Sequence, residues 1–191
     1  MSKPLVSIVT PCFNGELVIH RLLDSILNQT YPKIELIIVD DGSSDRTKEV
    51  VLSYSRRFSD TKIKLIYIYQ ENAGQAEAIN TGLKEISGDY LCWPDSDDYL
   101  EPESIEKRVR ILEKCPEYGV VTSDAFIRDI KDLTVVTRLA AAKQAGRYDN
   151  KQFEFLLSGA SMFLPGTHMI RVSCFKKTHP DGRIVGTRGG Q

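Results

Sequence analysis

The stretch LVSIVT, residues 5–10, runs straight into Pro11 and the polar turn CFNGE (12–16). A short apolar run rich in β-branched residues, with no alternation, reads as a strand buried on both faces, the kind found in parallel sheets. Pro11 reads as its stop. Asn14 and Gly15 open a helical stretch, ELVIHRLLDSILNQ (16–29), in which Val18, Leu22 and Ile26 fall on one side with Ile19, Leu23 and Leu27 beside them. Tyr31-Pro32 breaks that helix.

The cycle then repeats. IELIIVD (34–40) reads as a second strand, and DGSSD offers Ser43 or Ser44 as the cap of an amphipathic helix, RTKEVVLSYSRRF. A third strand, IKLIYIY (63–69), leads through ENAGQ into a helix carrying Ala76, Ile79, Leu83 and Ile86, ended by Gly88. DYLCW is the fourth strand; a helix around Ile105, Val109 and Leu112 and a strand in YGVVTS follow. Strict strand–helix alternation with short links predicts an α/β fold with a mostly parallel sheet and right-handed crossovers. After Asp124 the rhythm changes. FIRDIKDLTVVTRL reads as a polar hairpin turning at Lys131-Asp132, followed by a helix in FEFLL, a strand in HMIRV and a Pro/Gly-rich tail. The whole, residues 1–191, is expected to be one domain, with residues 1–123 binding a ligand and 124–191 forming a smaller mixed segment. The tail holds no closing helix, which predicts that the natural protein continues past Gln191.

Charge and composition exclude several classes. With 25 basic and 26 acidic residues the net charge is −1, so no long-range field marks a nucleic-acid binder. No apolar run approaches the ~20 residues that cross a bilayer, and no signal peptide is expected. The 4 cysteines, Cys12, Cys92, Cys115 and Cys174, are too scattered for a zinc site and read as thiols of a reducing cytoplasm.

In open α/β sheets ligands bind at the carboxyl ends of the strands. Here those ends read PCFNGE, DDGSSD, QENAGQ and PDSDD, and all four would lie along one edge. G-x-G-x-x-G and G-x-x-x-x-G-K-[ST] are both absent, so a bound phosphate would need a metal to neutralise it. Asp95 and Asp97 offer the hard oxygen ligands that Mg²⁺ or Mn²⁺ prefers. The alternative is an Asp-rich turn, with Asp98 capping the following helix. Asp40, ending the second strand, is placed to accept a hydrogen bond from a base or ribose, whereas Asp41 and Asp45 read as helix caps. Phe13 is either core or a stacking face for a nucleobase. His168 is either a metal or phosphate ligand or a structural residue in an apolar strand, and Arg171 is a candidate phosphate partner.

Together, VSIVTPCFNGE, LLDSILNQTYP, IELIIVDDGSSDRT, ENAGQAEAINTGL and GDYLCWPDSDDYLEPESI closely resemble the family 2 glycosyltransferases of the GT-A fold, in the family's order and spacing. GTHMIRVSCF (166–175) resembles the family's acceptor-side segment more loosely. The resemblance implies a GT-A, Rossmann-like sheet and an inverting, hexosyltransferase-type enzyme of bacterial polysaccharide assembly. Its donor would be a nucleotide-diphosphate-sugar, most often a UDP-sugar, and its acceptor a hydroxyl of a glycan, lipid-linked or protein-linked substrate. By the same resemblance Pro11 and Phe13 frame the base, Asn14 and Glu16 line that pocket, and Asp40 binds the base edge. Asn72, Gly74, Gln75 and Asn80 approach the donor, as do Asp95, beside ribose and metal, and Ser96. Asp97 is the main ligand of Mn²⁺ or Mg²⁺. The implied location is the cytoplasm, with peripheral association at the inner face of the membrane.

One departure stands out. Many relatives carry a Glu-Asp pair after the acceptor segment, whose Asp is the base; here that stretch reads IVGTRGGQ. Asp181 is the remaining base candidate, against its reading as a Pro-Asp-Gly turn residue. A domain that binds nucleotide-sugar without transferring it is the competing reading. A receiver domain would lack PDSDD, and a haloacid-dehalogenase-type phosphatase would carry D-x-D after its first strand.

Overall fold

Strand β1 (Val6–Cys12) is buried along all seven residues, and the chain folds around it. The computed structural model describes residues 2–129, 134–139 and 165–184. Helix α1 (Ile19–Leu27) leads to β2 (Ile34–Asp41), helices α2 (Thr47–Ser53) and α3 (Ser55–Ser59) to β3 (Lys64–Gln70), and α4 (Gln75–Leu83) to β4 (Tyr90–Cys92). Then come α5 (Ser104–Lys114), β5 (Val120–Thr122), the pair β6 (Ala125–Arg128) and β7 (Val135–Leu139), β8 (His168–Arg171) and α6 (Val172–Thr178). The main sheet has six strands in the order β3-β2-β1-β4-β8-β5, with β1 parallel to both β2 and β4 and β2 parallel to β3. The sheet is mostly parallel, as expected. β8, however, enters antiparallel between β4 and β5, so the fifth strand does not adjoin the fourth.

Helices cover both faces. Val6, Ile8, Leu36, Ile38, Tyr90 and Cys92 point to the side of α1, α2, α3 and α5, while Val9, Ile37, Val39 and Leu91 meet α4 and α6. This double coverage is why the strands read as unbroken apolar runs. Gly82 lets α4 lie close: a Cβ there would stand 2.4 Å from Val9 Cγ1.

Several boundaries differ from the sequence reading. Pro11 does not stop β1 but pairs in register with Val39; β4 contacts β1 only as far as Ile8, so Pro11 needs a ladder partner on one side alone. Helix α1 starts at Ile19 rather than Glu16, because the N–H groups of Asn14, Gly15 and Glu16 donate to the second loop. The helix expected over 46–58 is two, meeting at Tyr54. The helix before Gly88 ends at Leu83, and Gly88 instead lies against the Leu5–Ser7 backbone. The 126–139 hairpin is present as β6 and β7, while its turn at Lys131-Asp132, the FEFLL helix and the tail from residue 185 lie outside the described residues.

At the amino ends of the strands, buried Glu35 accepts from Ser7 Oγ at 2.5 Å and from Ser87 N and Oγ at 2.6 Å each, while Gly88 N donates to Ser7 Oγ at 2.9 Å. Burial works to raise the Glu35 carboxyl, but the three donors and the charge of Lys64 together hold it below the usual glutamate range. A depressed carboxylate stabilises the fold above its unfolded pKa, and that stability is lost as pH falls through the folded one. Glu35→Gln is therefore expected to cost about 1–3 kcal/mol at neutral pH. Denaturant titrations of both proteins should show the gap closing as the pH drops below ~4.

Candidate active site

Parallel register brings the ends of β1, β2, β3 and β4 to one edge, and an open cleft of about 360 Å³ lies there. Pro11, Cys12, Phe13, Asn14 and Gly15 form one wall, and Asp41, Gln75, Asp95, Ser96 and Asp97 line the rest. Pro11 and Phe13 both lie on the cleft lining. Phe13 is 54 % exposed, so its ring is a free stacking face and not core.

The first two loops are laced together. Asn14 N donates to Ser43 Oγ at 2.8 Å, and Ser44 N returns a bond to Asn14 Oδ1 at 2.9 Å. Gly15 N donates to Thr47 Oγ1 at 2.8 Å and Glu16 N to Asp45 Oδ2 at 3.0 Å, while Arg46 N donates to Glu16 Oε2 at 2.8 Å. This lacing holds Asn14 at φ 51, a left-handed conformation that asparagine tolerates. Asn14 lines the cleft, whereas the Glu16 carboxylate serves the second loop. Asp45 also accepts from Thr47 N at 2.9 Å, a bond local to the second loop and not a cap of α2. Ser43 and Ser44 act toward the first loop instead of capping α2, which has no side-chain cap.

Asp41 lies on the cleft lining and Asp40 does not. Asp40 is buried and turned inward, accepting from Ser43 N at 2.9 Å and Tyr67 Oη at 2.5 Å. Asp41 reaches the cleft and caps not the next helix but the loop before α4: it accepts from Gln70 Nε2 at 2.7 Å and from Ala73 N and Gly74 N at 2.8 Å each. Gly42, at φ 79, permits this approach, since a Cβ there would stand 2.8 Å from Asn72 N. Asn72, expected at the donor, donates to Asp41 O at 3.0 Å and so ties the third loop to the second. Gly74, at φ 89, makes the turn into α4. Asn80 is buried away from the cleft lining and exchanges bonds with Ile184 N, at 2.8 Å, and Ile184 O.

The acidic turn carries the clearest electrostatic signal. Gln75 Nε2 donates to Asp95 Oδ1 at 2.6 Å. Burial pushes the Asp95 carboxyl up to about 6, Asp98 and Asp97 push it the same way, and the Gln75 bond opposes them. Asp98 is raised too, by burial and then by Asp97, against its bond from Asp95 N. That bond, 3.2 Å to Asp98 Oδ2, closes the turn. Asp98 therefore does not cap α5, which begins at Ser104 without a side-chain cap. Among the described residues no Lys or Arg pairs with Asp95, Asp97 or Asp98, and no three His, Cys, Asp or Glu side chains form a metal cage. Two carboxylates on one turn of a polar cleft fit an ion whose other ligands are water and substrate phosphate, the habit of Mg²⁺ and Mn²⁺.

The remaining candidates sit elsewhere. His168 is buried with its ring edge-on to Trp93, centroids 4.5 Å apart, and is not on the cleft lining. Arg171 donates to the carbonyls of Tyr118, Leu112 and Cys115 and to Tyr90 Oη, which clamps the end of α5. Asp181 lies exposed in a turn with Gly182 at φ 70 and accepts from Arg183 N at 3.2 Å. The turn reading holds, and Asp181 does not line the cleft.

An acidic cleft at the carboxyl edge of a mostly parallel α/β sheet defines a ligand-binding domain of the Rossmann-like class. Residues 7–178 match the model of glycosyl transferase family 2, and the chain belongs to that family. A Rickettsia typhi protein described as an uncharacterized glycosyltransferase is 41% identical over 185 residues, covering 92% of this chain and 55% of its own length. The Streptococcus pneumoniae glycosyltransferase GlyA is 39% identical over 113 residues, 59% of this chain and 15% of GlyA. The chain thus spans about half the length of the Rickettsia typhi relative and of a Rickettsia prowazekii one. Among solved structures, S. aureus TarS in complex with UDP-GlcNAc superposes with a TM-score of 0.70 at 23% identity, over 91% of this chain and 47% of that one. The Pyrobaculum calidifontis mannosyltransferase PcManGT, in complex with GDP-Man and Mn2+, gives 0.66 at 22%, over 93% and 47%. The fold is GT-A. Among the described residues no helix is long and apolar enough to cross a membrane.

Asp45→Ala should free the Glu16 and Thr47 N–H groups and unlace the first loop. Expected is a loss of about 1–2 kcal/mol in stability, read by thermal unfolding.

Proposed function

We propose that this chain is the donor-binding part of an inverting glycosyltransferase that moves a hexose from a nucleotide-diphosphate-sugar, a UDP-sugar first, to an acceptor hydroxyl. The observation that carries this reading is the meeting of Phe13, Gln75, Asp95, Ser96 and Asp97 on one cleft. The exposed Phe13 ring offers the base a stacking face beside Pro11. Asn14 and Ser96 give the cleft uncharged polar walls. Asp97 and Asp95 would hold the divalent cation. When bound, that cation supplies Lewis-acid stabilisation of the nucleoside diphosphate as it leaves with growing negative charge.

The sugar carbon develops oxocarbenium character as its bond to the diphosphate breaks, and the acceptor hydroxyl must lose its proton to a base. Asp41 is a poor base, since three N–H donors already hold its carboxylate. Asp181 is spent in its own turn. With Asp95 and Asp97 given to the cation, this reading puts the proton acceptor outside the described lining of the cleft and keeps the 166–175 segment as the acceptor side. A UDP-GlcNAc complex of TarS and a GDP-Man complex of PcManGT with Mn2+ support the donor class. Glycan, lipid-linked and protein-linked acceptors, polysaccharide assembly and work at the inner membrane face belong to the same proposal.

Titration of UDP, GDP and their sugars with and without Mn²⁺ tests it. Asp97→Ala should lower the metal-supported affinity roughly a hundredfold, ~2.8 kcal/mol, and leave the metal-free affinity alone. Equal affinity in both proteins under both conditions would reject the metal assignment. Release of nucleoside diphosphate on addition of an acceptor separates transfer from binding alone.

A further inference from the structure

We infer that Gln75 is a positioning residue that fixes how Asp95 presents itself to the cation; the inference rests on the donor-binding reading above. Gln75 is the first residue of α4 and is exposed, yet its side chain crosses from the third loop to the fourth and donates to Asp95 Oδ1 at 2.6 Å. Its own place is set from β2. Buried Asp41 takes the N–H groups of Ala73 and Gly74 and the amide of Gln70, and Gly74 turns at φ 89 to start the helix on Gln75. From the other side Asp98 Oδ2 accepts Asp95 N, and Asp98 N donates to Asp95 O, both at 3.2 Å. The Asp95 carboxylate is thus held by its main chain and by one oxygen.

This divides the labour between the two carboxylates. With Oδ1 accepting from the Gln75 amide, Oδ2 is the Asp95 oxygen that would be offered to the cation. Asp97 is exposed on the same lining and keeps its carboxylate for direct ligation. A neutral carboxamide suits the task. A Lys at 75 would compete with the cation for Asp95, and a Glu would add a fourth carboxylate to an acidic turn. Groups that orient a metal ligand typically change metal affinity by 10–100-fold when removed.

The test is calorimetric titration of UDP and of GDP into the wild type and Gln75→Met, each with Mn²⁺ and with chelator. Met keeps the length of the side chain and removes its N–H donor. In the variant the affinity gained on adding Mn²⁺, taken relative to that protein's own metal-free affinity, is expected to shrink roughly tenfold or more. Gln75→Ala, at the same exposed position, should lose the same increment. Equal Mn²⁺ gains in wild type and variants would overturn the positioning role and leave the donor reading standing. A variant that loses metal-free affinity but keeps the full Mn²⁺ gain would make Gln75 a direct nucleotide contact only and overturn the positioning role as well. A wild type that binds neither nucleotide, or gains nothing from Mn²⁺, would overturn the donor or metal reading and this inference with it.

Discussion

Parallel pairing of β1 with β2 on one side and β4 on the other is the constraint on which the rest depends. A parallel ladder places every carboxyl end at the same edge, so four loops distant in sequence converge there. It also demands crossover helices. Those helices bury both faces of the sheet and leave the loop edge as the place where polar side chains can collect. The cleft is a consequence of topology before it is a consequence of chemistry.

Convergence alone would leave four mobile loops. What stiffens them is a set of side-chain-to-backbone bonds that run from each loop to the next. Ser43, Asp45 and Thr47 receive the N–H groups of the first loop, Asp41 receives those of the third, and Gln75 reaches across to the fourth. Acceptors on short side chains suit this work, because the N–H groups just ahead of α1 and α4 lie outside those helices and need partners of their own. Asp41 in particular takes its donors from a loop about thirty residues away and not from the helix that follows it.

The acidic turn gains its character from placement as well as from composition. Asp97 is exposed, whereas Asp95 and Asp98 are partly buried, and burial raises both of their carboxyls. Among the described residues no Lys or Arg neutralises these crowded carboxylates, which suits the divalent cation of the proposed function. The opposite edge of the sheet shows the contrasting solution. There Glu35 is buried too, but three donors satisfy it and hold its pKa down.

The strands, their order along the chain and the family were legible in residues 5 to about 105, because buried parallel strands and polar strand ends have a strong local pattern. The site was legible in part. Phe13, Gln75, Asp95, Ser96 and Asp97 do share one cleft, since a strand end determines which loop a residue joins. Tertiary structure alone decided which partner each side chain takes. Asp40 turns inward to Tyr67 while Asp41 faces the cleft; Asn72 and Asn80 serve backbone partners; Asp98 closes its own turn. These choices turn on single-residue steps along a strand and on donors brought from distant loops, neither of which local periodicity encodes. The insertion of β8 between β4 and β5 is of the same kind: a short apolar strand carries no mark of the neighbour it will pair with or of the direction in which it will run.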